Sequence, residues 1–212
     1  MLKTTVVDYG VGNLFSVKAA LMHCGVNEVI FAKTEDQILN ADRLVLPGVG
    51  AFFDGMRGLQ KRELVGPIKD FVKTGRPLMG ICLGMQMLGT QSEEFGTHQG
   101  LNLIPGKVIK ISQGNNECSR KVPFVGWAEI NICKYNGLQP SILKEVQDKS
   151  AVYLVHSYHF VAEREEDILA NYDYKDLSVC AAVQNENVIG FQFHPEKSSK
   201  VGLKILKTFL NT

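Results

Sequence analysis

The feature that most constrains the fold is the alternation of strand-like and helix-like segments along the first ninety or so residues. "KTTVVDYG" reads as a strand and runs into a turn at Gly10-Val11-Gly12-Asn13. "LFSVKAALMHC" then carries Leu14, Val17, Leu21 and Met22 at helical spacing and stops at Gly25. The short strand "EVIFA" leads to "TEDQILN", a helix with Thr34 placed to cap it. "RLVLPG" is a third strand and ends in Pro47-Gly48-Val49-Gly50. "ELVGPIKDFVKTG" puts Leu64, Ile68, Phe71 and Val72 on one side and closes at Gly75, after which "PLMGI" is a strand and "LGMQMLG" opens a helix. Strands joined by helical crossovers specify an α/β fold, a mostly parallel central sheet flanked by helices on both faces.

The second half is smaller in its elements and richer in β-structure. "GKVIKIS", "AVYLVHS", "YHFVAE", "DILANYD" and "SVCAAVQNENVIGFQF" read as strands, the last with a hairpin around Glu186-Asn187. "SSKVGLKILKTFLNT" closes the chain as an amphipathic helix with Val201, Ile205, Leu206 and Phe209 inward. "SQGNNECSRK" (112–121) is expected to be a mobile loop. There is no repeat or linker, so residues 1–212 are expected to form one domain, and 45% apolar residues suffice for its core. A formal net charge of +1 argues against nucleic acid or an anionic membrane as partner. Five scattered cysteines without a CxxC pair suit a reducing cytoplasm better than a disulfide framework or a zinc site. No signal peptide or segment of membrane-spanning length is seen, which again points to the cytoplasm.

Gly80-Ile81-Cys82-Leu83-Gly84 has the form glycine-x-nucleophile-x-glycine. Such a pentapeptide makes a strained strand-to-helix turn that presents its central side chain, and a thiol there sits at a helix N-terminus that favours the thiolate. Leu83 N–H would point toward an oxyanion. Taken alone, the pentapeptide is equally well a small residue packed at a strand end. A thiolate nucleophile needs a base, and the base an orienting group. "GFQFHPEKS" offers His194 and Glu196 on one side of a nearly extended segment, though alone it reads as readily as a solvated turn. Val49 or Gly50, at another strand end, is a candidate second oxyanion donor. Three strand ends would then meet at the carboxyl edge of the sheet, where open α/β sheets bind ligands.

"LPGVGAF", "GICLGMQML", "SEEFG", "GLNLIPGKV", "VPFVGW", "LVHSYHF" and "GFQFHPEKS" follow one another over nearly the whole chain. This series resembles the class I (triad) glutamine amidotransferases. With the opening "VVDYGVGNLFSVKAAL" it is most similar to the glutaminase subunits of imidazole glycerol phosphate synthase, of histidine biosynthesis. The resemblance implies that Cys82 attacks the side-chain amide of glutamine, that His194 carries the proton and that Glu196 orients it. It also implies that Leu83 with Val49 or Gly50 forms the oxyanion site. Gln86 and Glu94, with backbone around Ser157 and Tyr158, would hold the α-amino and carboxylate ends of the substrate. Asn13, Trp127, Tyr153 and Lys197 would lie near the interface with a (β/α)8-barrel cyclase subunit that receives the ammonia in a heterodimer. No cofactor or metal is implied. Cys24, Cys118, Cys133 and Cys180 read as structural, and His98, His156 and His159 as packing or surface residues, with His156 close to the substrate by resemblance. The family's Pro-His-x-Gly-Trp-Asn is here Pro123-Phe124-Val125-Gly126-Trp127-Ala128, with both departures expected toward the partner face. That leaves open a paralogous glutaminase feeding a surface-glycan (acetamidino sugar) amidotransferase. A non-catalytic regulatory subunit on the same fold is a third reading.

Overall fold

The computed structural model describes residues 3–115, 118–135 and 137–212. The first half folds as its pattern specifies. Strands β1 (Thr4–Val7), β2 (Val29–Ala32), β3 (Arg43–Gly48) and β4 (Leu78–Cys82) are joined through helices α1 (Leu14–His23), α2 (Glu35–Leu39), α3 (Phe52–Lys61) and α4 (Val65–Lys73), and α5 (Leu83–Met87) follows directly on β4. Further strands are β5 (Gln91–Ser92), β6 (His98–Gln99), β7 (Gly106–Lys110), β8 (Phe124–Ile132), β9 (Ala151–His156), β10 (Tyr158–Ala162), β11 (Ile168–Tyr174), β12 (Leu177–Asn185) and β13 (Val188–Phe191), before the closing helix α6 (Ser199–Leu210). The nine-stranded sheet has the order β2-β1-β3-β4-β13-β12-β11-β8-β9, and a four-stranded sheet has the order β10-β7-β5-β6. The large sheet is parallel from β2 to β13 and antiparallel beyond.

The parallel strands read as unbroken apolar runs because both their faces are covered. Along β3, Val45 joins one core cluster with Leu21 of α1 and Ile205 and Phe209 of α6. Leu44 and Leu46 join the other, with Ile38 of α2, Leu59 of α3, Phe71 of α4 and Phe160 of the small sheet. Thr34 caps α2, its hydroxyl accepting from the Gln37 amide at 3.5 Å. Asn13 caps α1 in the same way, accepting from the Ser16 amide at 3.3 Å.

Helix α3, strand β8 and the two-residue strands β5 and β6 differ from the sequence reading. Helix α3 was not expected, because Gly55 and Gly58 depress helix propensity within it. Its buried face, Phe52, Met56 and Leu59, has the regular helical spacing. A Cβ at Gly58 would stand 2.7 Å from the Tyr9 carbonyl oxygen, so close approach to β1's end excludes any larger residue. Strand β8 was not expected either. Its outward positions include Val125 and Trp127, 59% and 53% exposed, and apolar residues on the solvent side erase the alternation that marks a strand.

The 112–121 segment carries no helix or strand among its described residues, and Asn116 and Glu117 lie outside them. Arg120 ties the described part down, donating to the Ser112 carbonyl at 2.7 Å and pairing with Asp176. Among the described residues, no helix is long and apolar enough to cross a membrane.

Candidate active site

Cys82 is the last residue of β4 and the cap of α5, with φ 55° and ψ −110°. A non-glycine residue held there stores on the order of 1–3 kcal/mol of backbone strain, supplied by the packing around it. That packing is glycine-dependent. A Cβ on Gly84 would lie 1.8 Å from the Leu46 carbonyl oxygen, and one on Gly80 would lie 2.8 Å from the Gly84 carbonyl. The two glycines allow β3, the turn and α5 to interlock at backbone contact, and Gly48 stands opposite Cys82 in register. We expect Gly84→Ala to destabilise the fold by about 3 kcal/mol or more. A drop in urea midpoint measures this, and an unchanged midpoint would contradict the packing argument.

His194 follows β13, and its backbone is fixed from two sides. Its N–H donates to the Tyr153 carbonyl at 3.0 Å, and its carbonyl accepts from the buried Ser198 hydroxyl at 2.7 Å. The same hydroxyl accepts from the Tyr153 amide at 3.0 Å, so β9 and the histidine segment are held together. Glu196 lies in a single 3-10 turn, Pro195–Lys197, and not on an extended segment as the sequence suggested. The turn brings Glu196 Oε1 to 2.8 Å from His194 Nδ1, with both side chains almost wholly buried. An Nδ1–H donated to the carboxylate leaves Nε2 to exchange protons. Nε2 is buried and makes no hydrogen bond of normal geometry among the described residues. Burial by itself would lower the pKa of this imidazole. The Cys82 sulfur and the Glu196 carboxylate outweigh burial and push it up to about 9.

A cleft of about 250 Å³ opens at this edge of the sheet. Cys82, Leu83, Val49, Gly50, Gln86, Glu94, Ser157, Tyr158 and His194 all line it, so the structure collects every residue the sequence suggested for attack, oxyanion binding and substrate binding except Glu196, which stands behind His194. Gly50 has φ 97°, a conformation open to glycine. Glu94 is buried and accepts from the Phe52 amide, the first of α3, at 2.6 Å. Gln86 donates to the Tyr158 carbonyl and to Gln192 Oε1, both at 3.0 Å.

Three residues beside the cleft were not singled out as functional from the sequence. Tyr9, wholly buried, donates its hydroxyl to the Pro47 carbonyl at 2.6 Å and braces the strand end that carries Val49 and Gly50. Burial raises its pKa, so it stays a donor. Gln192, wholly buried, reaches both Gln86 and Cys82 with its side-chain amide. His156 lines the cleft, as the resemblance suggested, yet it is a buried network residue. Its Nδ1 is 2.8 Å from the Tyr158 carbonyl, which can only accept, so Nδ1 carries the proton and Nε2 accepts from the Tyr172 hydroxyl at 2.9 Å. No sequence pattern marks these residues, because their partners are remote along the chain.

His156 also sets a pH dependence. Burial lowers its pKa from 6.5 to about 4. The folded state therefore binds fewer protons than the unfolded state between these values. The stabilisation is present above pH 6.5 and is lost as pH falls toward 4, up to about 3 kcal/mol. Buried His159 is shifted in the same direction. We expect His156→Gln to flatten the fall in melting temperature between pH 7 and pH 4.5; an identical slope would refute the assignment.

Of the residues expected near a partner, three form one group. Trp127 and Tyr153 face each other in register on β8 and β9, with ring centroids 5.9 Å apart. Lys197 Nζ sits 5.9 Å over the Tyr153 ring. Asn13 lies at the start of α1, beyond the carboxyl end of β1. The two departures lie on the other side of β8 from Trp127. Phe124 is half-buried among Tyr174, Tyr172 and His156, at 4.8, 5.2 and 6.3 Å between centroids. Ala128 packs on the core opposite Val152.

The profile of the glutamine amidotransferase class-I family matches residues 5–212. The chain belongs to that class. Solved structures agree on the fold: one described as PurLQS from Thermotoga maritima superposes with a TM-score of 0.74 at 19% identity, over 99% of this chain and 98% of the other. Among curated proteins, the imidazole glycerol phosphate synthase subunit HisH 1 of Legionella pneumophila (strain Paris) is 44% identical over 212 residues, 99% of each chain. The HisH subunit of Geobacter sulfurreducens is 44% identical over 211 residues, 99% of this chain and 98% of its own. Within the class, this chain belongs to the HisH family.

Proposed function

We propose that this chain is the glutaminase subunit of an imidazole glycerol phosphate synthase, with the chemistry carried by Cys82, His194 and Glu196. The single observation that carries the reading is a thiol on a strained elbow, sharing a cleft with a buried His194–Glu196 pair 2.8 Å apart. His194 Nε2 takes the Cys82 proton and the sulfur attacks the side-chain amide carbon of glutamine. The resulting oxyanion is met by the Leu83 N–H and by an N–H at Val49 or Gly50. His194 returns the proton to the leaving nitrogen, ammonia departs, and water, deprotonated by His194, hydrolyses the thioester to glutamate. Gln86, Glu94, Ser157 and Tyr158 hold the α-amino and carboxylate ends. Intact triad residues speak against a non-catalytic role.

The names of the relatives support a cyclase partner, bound as a heterodimer through the face of Trp127, Tyr153 and Lys197 with Asn13 nearby. Inward-facing Phe124 and Ala128 leave that face unaltered, which favours the histidine-pathway acceptor over a surface-glycan enzyme. Five free cysteines fit a cytoplasmic setting. The test is glutamate release from glutamine by the chain alone, then with the cyclase subunit of the same genome, with and without its nucleotide ligand. A large ligand-dependent rise is expected. No rise, with Cys82 still reactive, would overturn the assigned partner.

A further inference from the structure

We propose that Gln192 is a positioning residue for the Cys82 sulfur, donating its side-chain N–H to the thiolate and joining it to the substrate side of the cleft through Gln86. The inference rests on the reading of Cys82 as the nucleophile. It starts from one backbone atom. The Tyr158 carbonyl can only accept hydrogen bonds, so the Gln86 atom 3.0 Å away must be Nε2. The other N–H of that amide goes to Gln192 Oε1 at 3.0 Å. With its oxygen committed there, Gln192 turns Nε2 to the sulfur, 3.8 Å from Cys82 Sγ. The polarity of the whole chain is thus fixed by a peptide carbonyl two elements away and not by a choice of amide orientation.

The setting makes this contact consequential. Gln192 is wholly buried, between Phe191 and Phe193 in sequence, and its own backbone N–H is held by the Ala181 carbonyl at 2.9 Å. A buried amide is costly unless both ends are partnered, and here both are. Besides His194, the sulfur also meets the Val155 carbonyl at 3.9 Å, which accepts a thiol proton but has nothing to offer a thiolate. The Gln192 N–H interacts with the anion more strongly than with the neutral thiol. The titratable groups around the sulfur are His194, with Glu196 and His156 beyond it, Tyr9, and Glu94 and Tyr158 in the same cleft. All of them are retained in the variants below.

The experiment follows alkylation of Cys82 by iodoacetamide against pH in the full chain, read by peptide mapping, with melting temperature as a check on the fold. Gln192→Glu keeps the acceptor for Gln86 but turns a carboxylate to the sulfur, and the pH of half-maximal alkylation should rise by about one unit or more. Gln192→Met, close in shape without a donor, should move it less and in the same direction. In the unaltered protein, the side-chain amide resonances of Gln192 should titrate together with Cys82 and stop doing so in Cys82→Ser. A merely structural glutamine would move neither. Unmoved inflections in folded variants, or amide resonances indifferent to Cys82, would overturn the role of Gln192. Retained glutamine hydrolysis in Cys82→Ala would instead overturn the nucleophile reading beneath it.

Discussion

Cys82→Ala should abolish glutamine hydrolysis, by about 10⁴-fold or more, while the protein stays folded. The side chain is small, and removing one sulfur from an elbow held by Gly80, Gly84 and Leu46 leaves those backbone contacts in place. Alanine meets the same penalty at φ 55° as cysteine, so the strain is unchanged. Cys82→Gly relieves that strain and should melt at least as high as Cys82→Ala, although it is equally inactive. The pair separates chemistry from stability. Substantial activity in either variant would remove the thiol from the reaction.

Glu196→Gln should cost about 10³–10⁴-fold in kcat in a protein that still folds, with a lower melting temperature at neutral pH and below. The carboxylate accepts from His194 Nδ1 at 2.8 Å, so the neutral ring keeps its proton on Nδ1 and leaves Nε2 free to take one. A carboxamide can present its NH2 group to Nδ1 instead, which places the imidazole proton on Nε2, where it blocks proton abstraction from Cys82. The charge matters as well as the tautomer. The pKa of His194 is held up to about 9 by Cys82 and Glu196 against the downward pull of burial. A raised folded-state pKa stabilises the protein fully below pH 6.5, and that contribution is lost as pH climbs toward 9. Neutralising Glu196 shrinks this alkaline loss. Unchanged kcat together with an unchanged alkaline stability profile would show that Glu196 does not act on His194.

The parallel half of the fold and the elbow at Cys82 were legible because their signals are local. A strand that is buried on both faces shows as an apolar run, and a strand-to-helix elbow must spell glycine at fixed offsets from Cys82. His194 and Glu196 were legible from three adjacent residues, although the sequence could not show that a 3-10 turn, and not an extended segment, brings their side chains together. Helix α3 was hidden by Gly55 and Gly58, which serve contacts with distant residues, and β8 by Val125 and Trp127 facing outward. Gln192 illustrates the limit best. Its meaning lies in partners 106 and 110 residues away, Gln86 and Cys82, and nothing in the sequence beside it announces them. The packing of Phe124 and Ala128 on the core was not legible for a related reason: with β8 unrecognised, there was no alternation from which to assign their faces.

The most direct measurement is the site of labelling by a glutamine-analogue electrophile, mapped over all five cysteines by mass spectrometry. We expect one adduct, on Cys82, suppressed by glutamine and slowed in His194→Ala. Label spread over Cys24, Cys118, Cys133 and Cys180, or hydrolysis of glutamine with Cys82 unmodified and dispensable, would contradict the account.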